Sequence, residues 1–307
     1  MFPITSGATA AYLANLDRNQ QATNQTQSQV SSGIRVQQPA DDPSAVAEIL
    51  QVQTGLAQNN QVQTNLTGVQ SELGSADSAL QAAVQAVENA VSVGAQGASS
   101  TATADQRASL AQQVAGLQQT LVGISQTQFN GRYIFSGDLD TQPAYQVDST
   151  QPTGVKQLIS APATRQIVDA SGVPITVART AQQIFDARDS TGAPATGNVF
   201  AAVNALLTAL QSNNQAGVSQ AVDSLNSAGQ HLNDQLALYG DAENQVAGSL
   251  DLAQKFQTQQ QASLSNLRDT NIPAAAIQLN QEQLQQQAAL SSEASLLQQK
   301  NLFSYIA

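Results

Sequence analysis

The chain has 307 residues with 11 Lys and Arg against 22 Asp and Glu, a formal net charge of −11, one histidine and no cysteine or tryptophan. With no Cys and only His231, structural zinc, iron–sulfur clusters, thiol catalysis and multi-histidine metal sites lack their ligands. The acidic balance repels phosphate backbones and the few cations are scattered, which argues against a nucleic-acid binder. Charged residues are only 11% of the chain, and glutamine, about one residue in six, fills the gap. A long helix that stays monomeric carries Glu–Lys pairs on its solvent face. Their scarcity points to faces that meet other protein.

The first residues, Met1 to Gly7, carry no positive charge and lead into no apolar run, so no cleaved secretory signal is expected. The longest apolar stretch, Ala201 to Leu210, is broken by Asn204 and Thr208 and is too short to span a bilayer. From Leu13, heptad counting gives Leu13, Leu16, Gln20, Thr23, Gln27, Val30 and Ile34, a seam polar through its middle. Ser31 to Ala45 then reads as a stop, a turn and a restart. Gly33 and Pro39 interrupt the first helix, Asp42 caps the next, and Pro43 fits its first position. The pair Asp41 and Asp42 lacks further acidic ligands at calcium-loop spacing, so capping is favoured over a metal.

A second seam runs through Leu66, Val69, Leu73, Ala76, Leu80, Val84, Val87 and Val91. A third, Leu110, Val114, Leu117, Leu121 and Ile124, comes after a capping box formed by Thr103 and Gln106. Next along the chain is Phe129-Asn130-Gly131-Arg132-Tyr133-Ile134-Phe135-Ser136-Gly137. Asn-Gly favours positive φ and a tight reversal, and Tyr133 and Phe135 would share one face of the strand after it. In an aromatic-poor chain, Phe129, Tyr133 and Phe135 mark an anchor for the segment C-terminal to them.

Five of the nine prolines fall between 138 and 197, among short β-branched runs at 155–159, 166–168 and 174–177, which predicts a small β-rich insert. The returning arm repeats in steps of four and three. Its positions are Val218, Val222, Leu225, Gly229, Leu232, Leu236, Tyr239, Glu243, Val246, Leu250 and Ala253, continuing through Gln257, Gln260 and Leu264 to Leu267. Unbroken, the 215–268 segment would span about 80 Å. The tail has Leu290, Leu296, Leu297 and Phe303 amid Gln and Ser, a stripe too weak for an isolated helix. Both termini are therefore expected to be frayed in the free chain. His231 flanks this seam and reads as a surface or interface residue. No phosphate loop, nucleophile elbow or paired-carboxylate signature is present, so no catalytic, cofactor-binding or metal residue is assigned.

Taken together, Ser32-Gly33-Ile34-Arg35-Val36 with Pro39-Ala40-Asp41-Asp42-Pro43, the Phe129–Gly137 stretch and the Leu267-Arg268-Asp269-Thr270-Asn271-Ile272 stretch resemble the flagellin superfamily. The prolines around the Asp pair, and Tyr133-Ile134-Phe135 after Asn-Gly, resemble its hook-filament junction branch more than filament flagellins. The resemblance covers the arms and termini and leaves 138–197 unmatched.

It implies a mainly α fold, an elongated antiparallel helical bundle and coiled-coil rod with a small β-rich insert. Residues 1–40 and 270–307 would be axial coiled-coil segments, disordered in the monomer, 41–137 and 198–269 the rod, and 138–197 the insert. Leu13, Leu16, Val30, Ile34, Leu290, Leu296, Leu297 and Phe303 would pack within and between subunits. The implied role is a non-enzymatic adaptor at the hook-filament junction, extracellular after type III export. Its partners would be its own copies in a ring, a hook-associated protein on one side, flagellin on the other and an export chaperone on the C-terminal segment, with no cofactor, nucleic acid or membrane. The alternatives are a filament flagellin and, from another class, a soluble coiled-coil binding or signalling module.

Overall fold

A computed structural model describes residues 4–169 and 171–298. In chain order the elements are α1 (Ile4–Ser32), α2 (Pro43–Ala98), α3 (Ala104–Ser125), β1 (Gln128–Phe129), β2 (Arg132–Tyr133), β3 (Tyr145–Val147), β4 (Val155–Gln157), β5 (Gln166–Val168) and β6 (Pro174–Thr176). They are followed by α4 (Ala181–Phe185), α5 (Val199–Gln211), α6 (Gln215–Arg268) and α7 (Ile272–Gln298). The fold is mainly α, as the periodicity predicts, with strands confined to small antiparallel pairs. The chain divides into two compact units: Met1–Gln58 with Gln257–Ala307, and Asn59–Phe256.

Local chemistry places most boundaries. Gly33 takes φ 72° and closes α1, its N–H donating to Gln29 O at 2.9 Å. Pro43 opens α2 without a missing donor, since the first helical N–H groups have no intrahelical acceptor. The Thr103–Gln106 capping box forms in both directions, 3.2 Å to the hydroxyl and 2.8 Å to the amide oxygen. A second box, Thr180 with Gln183, starts the unforeseen short helix α4. Asn130 and Gly131, at φ 50° and 78°, make the two-residue reversal between β1 and β2, with Phe129 opposite Arg132.

The second unit holds one continuous core built from α2, α3, α5, α6 and the insert. On α6 the buried residues are Val218, Ala221, Leu225, Ala228, Leu232, Gln235, Tyr239, Ala242, Val246, Ser249 and Ala253, a strict three-four repeat. Half of the predicted seam is therefore correct. The other half lies one residue earlier, with Ala221, Ala228, Gln235, Ala242 and Ser249 replacing Val222, Gly229, Leu236, Glu243 and Leu250. The same slip occurs on α2, where Ala83 and Ala90 are buried and Val84 and Val91 half-buried. Small residues alternate with large ones along each stripe, and Val84, Val91, Leu236 and Leu250 pack half-buried beside it.

The strands pair as separate hairpins, β1–β2 before the insert and β3–β4 and β5–β6 within it, and among the described residues no sheet joins them. An aromatic chain joins β3 to α4, α5 and α6. Phe135 meets Phe185 and Tyr239 edge to face at 5.9 and 6.4 Å between centroids, Phe185 stacks on Phe200 at 5.8 Å, and Phe200 contacts Tyr145 at 5.2 Å. Beneath it lies Asp186, fully buried, whose carboxylate accepts from Tyr145 Oη at 2.9 Å, Arg188 Nη2 at 2.6 Å and Asn198 Nδ2 at 2.7 Å. A buried charge with that many donors is fully compensated.

Candidate assembly interface

The motif of residues 32–43 and the start of the tail meet in the first unit. Arg35 N and Val36 N both donate to Arg268 O, at 2.7 and 3.2 Å, and Thr270 N donates to Gly33 O at 2.8 Å. Ile34 and Asp269 pair as an antiparallel bridge. Arg35 spans the junction: Nη1 donates to Asp42 Oδ2 at 2.8 Å and Nη2 to Leu267 O at 2.7 Å. Its charge thus sits at the carbonyl end of α6, where the helix dipole favours a cation. Asp41 Oδ2 accepts from Gln37 N and Gln38 N at 2.9 and 2.8 Å, which shapes the turn carrying exposed Pro39. Asp42 Oδ1 accepts from Ser44 Oγ at 2.6 Å and from Ala45 N at 3.2 Å, the expected cap. The Ser44 hydroxyl, with Arg35 and the Ala45 amide, holds the Asp42 carboxyl well below the usual carboxylate range. Ser32 Oγ accepts from Ile34 N at 3.1 Å.

Beyond this clamp α7 runs antiparallel along α1. Tyr12 Oη donates to Ala289 O at 2.7 Å, Gln286 Nε2 to Gln20 Oε1 at 2.6 Å, and Thr26 Oγ1 to Glu282 Oε1 at 3.2 Å. The shared seam is polar: Thr23 and Thr26 are buried, and Thr23 Oγ1 and Glu282 Oε2 are buried without hydrogen-bond partners. Ile277 and Leu284, 61% and 65% exposed, lie on the opposite side of α7. Of the predicted packing residues, Leu16, Val30 and Ile34 are half-buried, and Leu13 and Leu290 are exposed. The side chains of Leu296 and Leu297, and Phe303 altogether, lie outside the described residues.

A small separate core of Val36, Ala45 and Ile49, flanked by Val46, Leu264 and Leu267, supports the clamp. Against it opens a groove of about 450 Å³ lined in part by Ile34, Val36, Pro39, Val46, Ile49 and Leu50. Among the described residues no group of three or more His, Asp and Glu side chains converges, and no helix is long and apolar enough to cross a membrane.

At the insert junction the expectation needs one correction. The strand after Asn-Gly ends at Tyr133, because Ser136 N folds back onto Tyr133 O at 3.2 Å, so Tyr133 and Phe135 do not share a strand face. Phe135 is fully buried, whereas Phe129 and Tyr133 are half-buried. Gly137, at φ 64°, leaves no room for a Cβ, which would meet Pro162 O at 2.5 Å. His231 lies 2.9 Å from Gln183 O through Nε2 and beside Gly197, a packed flank as its position beside the heptad predicts. Tyr145, Phe185 and Phe200, which complete the aromatic anchor, were invisible to local pattern because their partners are distant in sequence.

Residues 5–140, less than half of the chain, match the bacterial flagellin N-terminal helical region. Over roughly two thirds to three quarters of the chain the fold is similar to that of solved hook-associated proteins. One similar structure, from Vibrio parahaemolyticus and described as a flagellar hook-associated protein, superposes with TM-score 0.66 at 18% identity, covering 75% of this chain and 100% of that one. Flagellar hook-associated protein 3 of Legionella pneumophila gives 0.61 at 14%, covering 71% and 98%. The flagellar junction protein FlgL of Legionella pneumophila gives 0.54 at 12%, covering 66% and 99%. A direct comparison with curated protein sequences finds no match.

Proposed function

We propose that this chain is a structural subunit of the bacterial flagellum, an adaptor at the hook-filament junction on which the filament assembles. The observation that carries the reading is the first unit. Its terminal helices are paired by hydrogen bonds from Tyr12, Thr26 and Gln286, and the Arg35 clamp joins the start of α2 to the end of α6 beside them, yet α7 turns Ile277 and Leu284 outward, away from α1. Such a pair is suited to packing against neighbouring copies. The flagellin N-terminal region and the shared fold support the same reading. Residues 1–40 and 270–307 form the axial segments, 41–137 and 198–269 the rod, and 138–197 the outer insert. Leu13 and Leu290 pack between subunits and Leu16, Val30 and Ile34 within them. The chain acts outside the cell, performs no catalysis, and contacts a hook-associated protein on one side and flagellin on the other. A chaperone shields its C-terminal segment before export.

Deleting the gene tests this directly. The expected result is cells without filaments that release unpolymerised flagellin into the medium, restored by the intact gene. Persisting filaments would overturn the adaptor role. Filaments composed of this chain itself would identify it as the flagellin instead.

A further inference from the structure

A cleft of about 830 Å³ lies within the second unit, between α2 and the hairpins that follow α3. α2 forms its floor, β1–β2 one wall, and the start of β5 with Val177 and Ala178 the other. In the middle of the floor is Gly68, where an added Cβ would meet nothing within 4 Å. A glycine inside a helix weakens it, and this one permits no close packing in return. Its effect is to keep the cleft open. The walls are already tied in place. Asp138 accepts from Thr164 N at 3.1 Å and Thr164 Oγ1 at 2.8 Å, Arg132 donates to Asp140 at 3.1 Å, and Arg165 pairs with Glu72 of α2. Among the described residues, every charge lining the cleft therefore has a partner within the protein.

The polar groups left over are uncharged. Among the described residues the side chains of Asn130 and Gln166 have no hydrogen-bond partner, and Asn65 engages its amide oxygen, which accepts from Gln61 Nε2 at 2.9 Å. An amide offers both donors and an acceptor, the complement of a ligand hydroxyl. Half-buried Phe129 and Tyr133 add apolar ring surface beside these amides. We propose that the cleft binds a neutral oligosaccharide. Its hydroxyls bond the amides of Asn65, Asn130 and Gln166, and the C–H face of one sugar ring lies on Tyr133. The volume is within the range of about 300–1,000 Å³ usual for small-molecule sites, and walls tied in advance limit the ordering cost of binding. The proposal does not depend on the junction reading, since every residue it uses belongs to one copy.

Saturation-transfer NMR on the full-length protein tests it with maltotriose, cellotriose and chitotriose, and with trigalacturonate as a charged comparator. Transfer to the ring C–H protons of at least one neutral trisaccharide is expected, with trigalacturonate silent. Binding should weaken at least tenfold in Gly68→Leu, which fills the floor. It should weaken as much in Asn130→Gly, which removes an amide yet keeps the positive φ of the turn. Gly116→Leu, the same change on α3 where a Cβ also meets nothing, should bind as the parent does. Should Gly68→Leu fail to fold by circular dichroism, Asn130→Gly alone decides. No transfer to any neutral trisaccharide overturns the proposal, as does transfer to trigalacturonate alone or undiminished binding by the folded cleft variants. The deletion test is separate: persisting filaments reject the junction role whatever the cleft binds.

Discussion

Arg35 and Arg107 show what scarce cations do in this chain: each closes the carbonyl end of a long helix. Arg107, 6% exposed, donates to Gly97 O at 2.8 Å and Ser99 O at 3.0 Å at the end of α2, and to Asn213 Oδ1 at 2.6 Å. Arg107→Ala leaves those acceptors unpaired in a dry site, and charge-assisted bonds of this kind lead us to expect a loss of about 3 kcal/mol in urea unfolding. Arg35 and Asp42 are more exposed, so their effect is local. Because the Asp42 carboxyl is held below its ordinary value of 3.8, its contribution is complete above about pH 4 and is lost as pH falls further and the group protonates. Asp42→Ala should therefore speed amide exchange at Ala45 and Val46 near neutral pH and remove the acid-dependent part of that protection. Unchanged exchange would show that Pro43 alone sets the helix start.

At the scale of elements, the helices are long because no proline interrupts them beyond their first turn. The packing between them depends on small residues. A Cβ on Gly97 of α2 would lie 2.4 Å from Leu210 Cδ2, and one on Gly94 would lie 2.5 Å from Val222 Cγ2. Alanine is intrinsically better than glycine in a helix by about 1 kcal/mol, but forcing a methyl into a filled core costs about 1–3 kcal/mol. With Leu210 almost fully buried, overpacking should win, and Gly97→Ala should lower the thermal midpoint. Gly116→Ala, on α3 where a Cβ meets nothing, should raise it. The contrast between two glycines in helices separates packing from propensity.

For the whole molecule, the two units differ in how much apolar surface each buries. The second holds a continuous core from Leu66 to Val246, whereas among the described residues the first has a small cluster around Val36, Ala45 and Ile49 and a polar α1–α7 seam. Stability follows buried apolar area. Hydrogen exchange of the purified monomer should therefore show α1 and α7 unprotected at denaturant concentrations where α6 between Val218 and Val246 is still fully protected. Loss of protection everywhere in one step would refute two separable units. The same measurement bears on the soluble-module alternative, which requires firm protection through residues 1–40 of the monomer. The net charge of −11 is compatible with a soluble precursor and with later burial of uncharged amide faces.

Much of this was legible in the residues themselves, wherever the cause is local. Gly33, Asp42 and Pro43 end and restart a helix, Thr103 and Gln106 cap one, and Asn130 with Gly131 reverses the chain, because each acts on backbone groups within four residues. Periodicity alone also decided that the arms are helical and that every seventh residue from Val218 faces inward. The second position of each heptad was not decidable from the pattern. Val222 and Ala221 are both acceptable there, and only the surface opposite them selects which one is central. The burial of Asp186, the joining of Phe135 to Phe185 and Tyr239, and the bridging of Asp42 to Leu267 by Arg35 belong to the tertiary structure for the same reason. Their energies arise between groups far apart in the chain, which no local preference encodes.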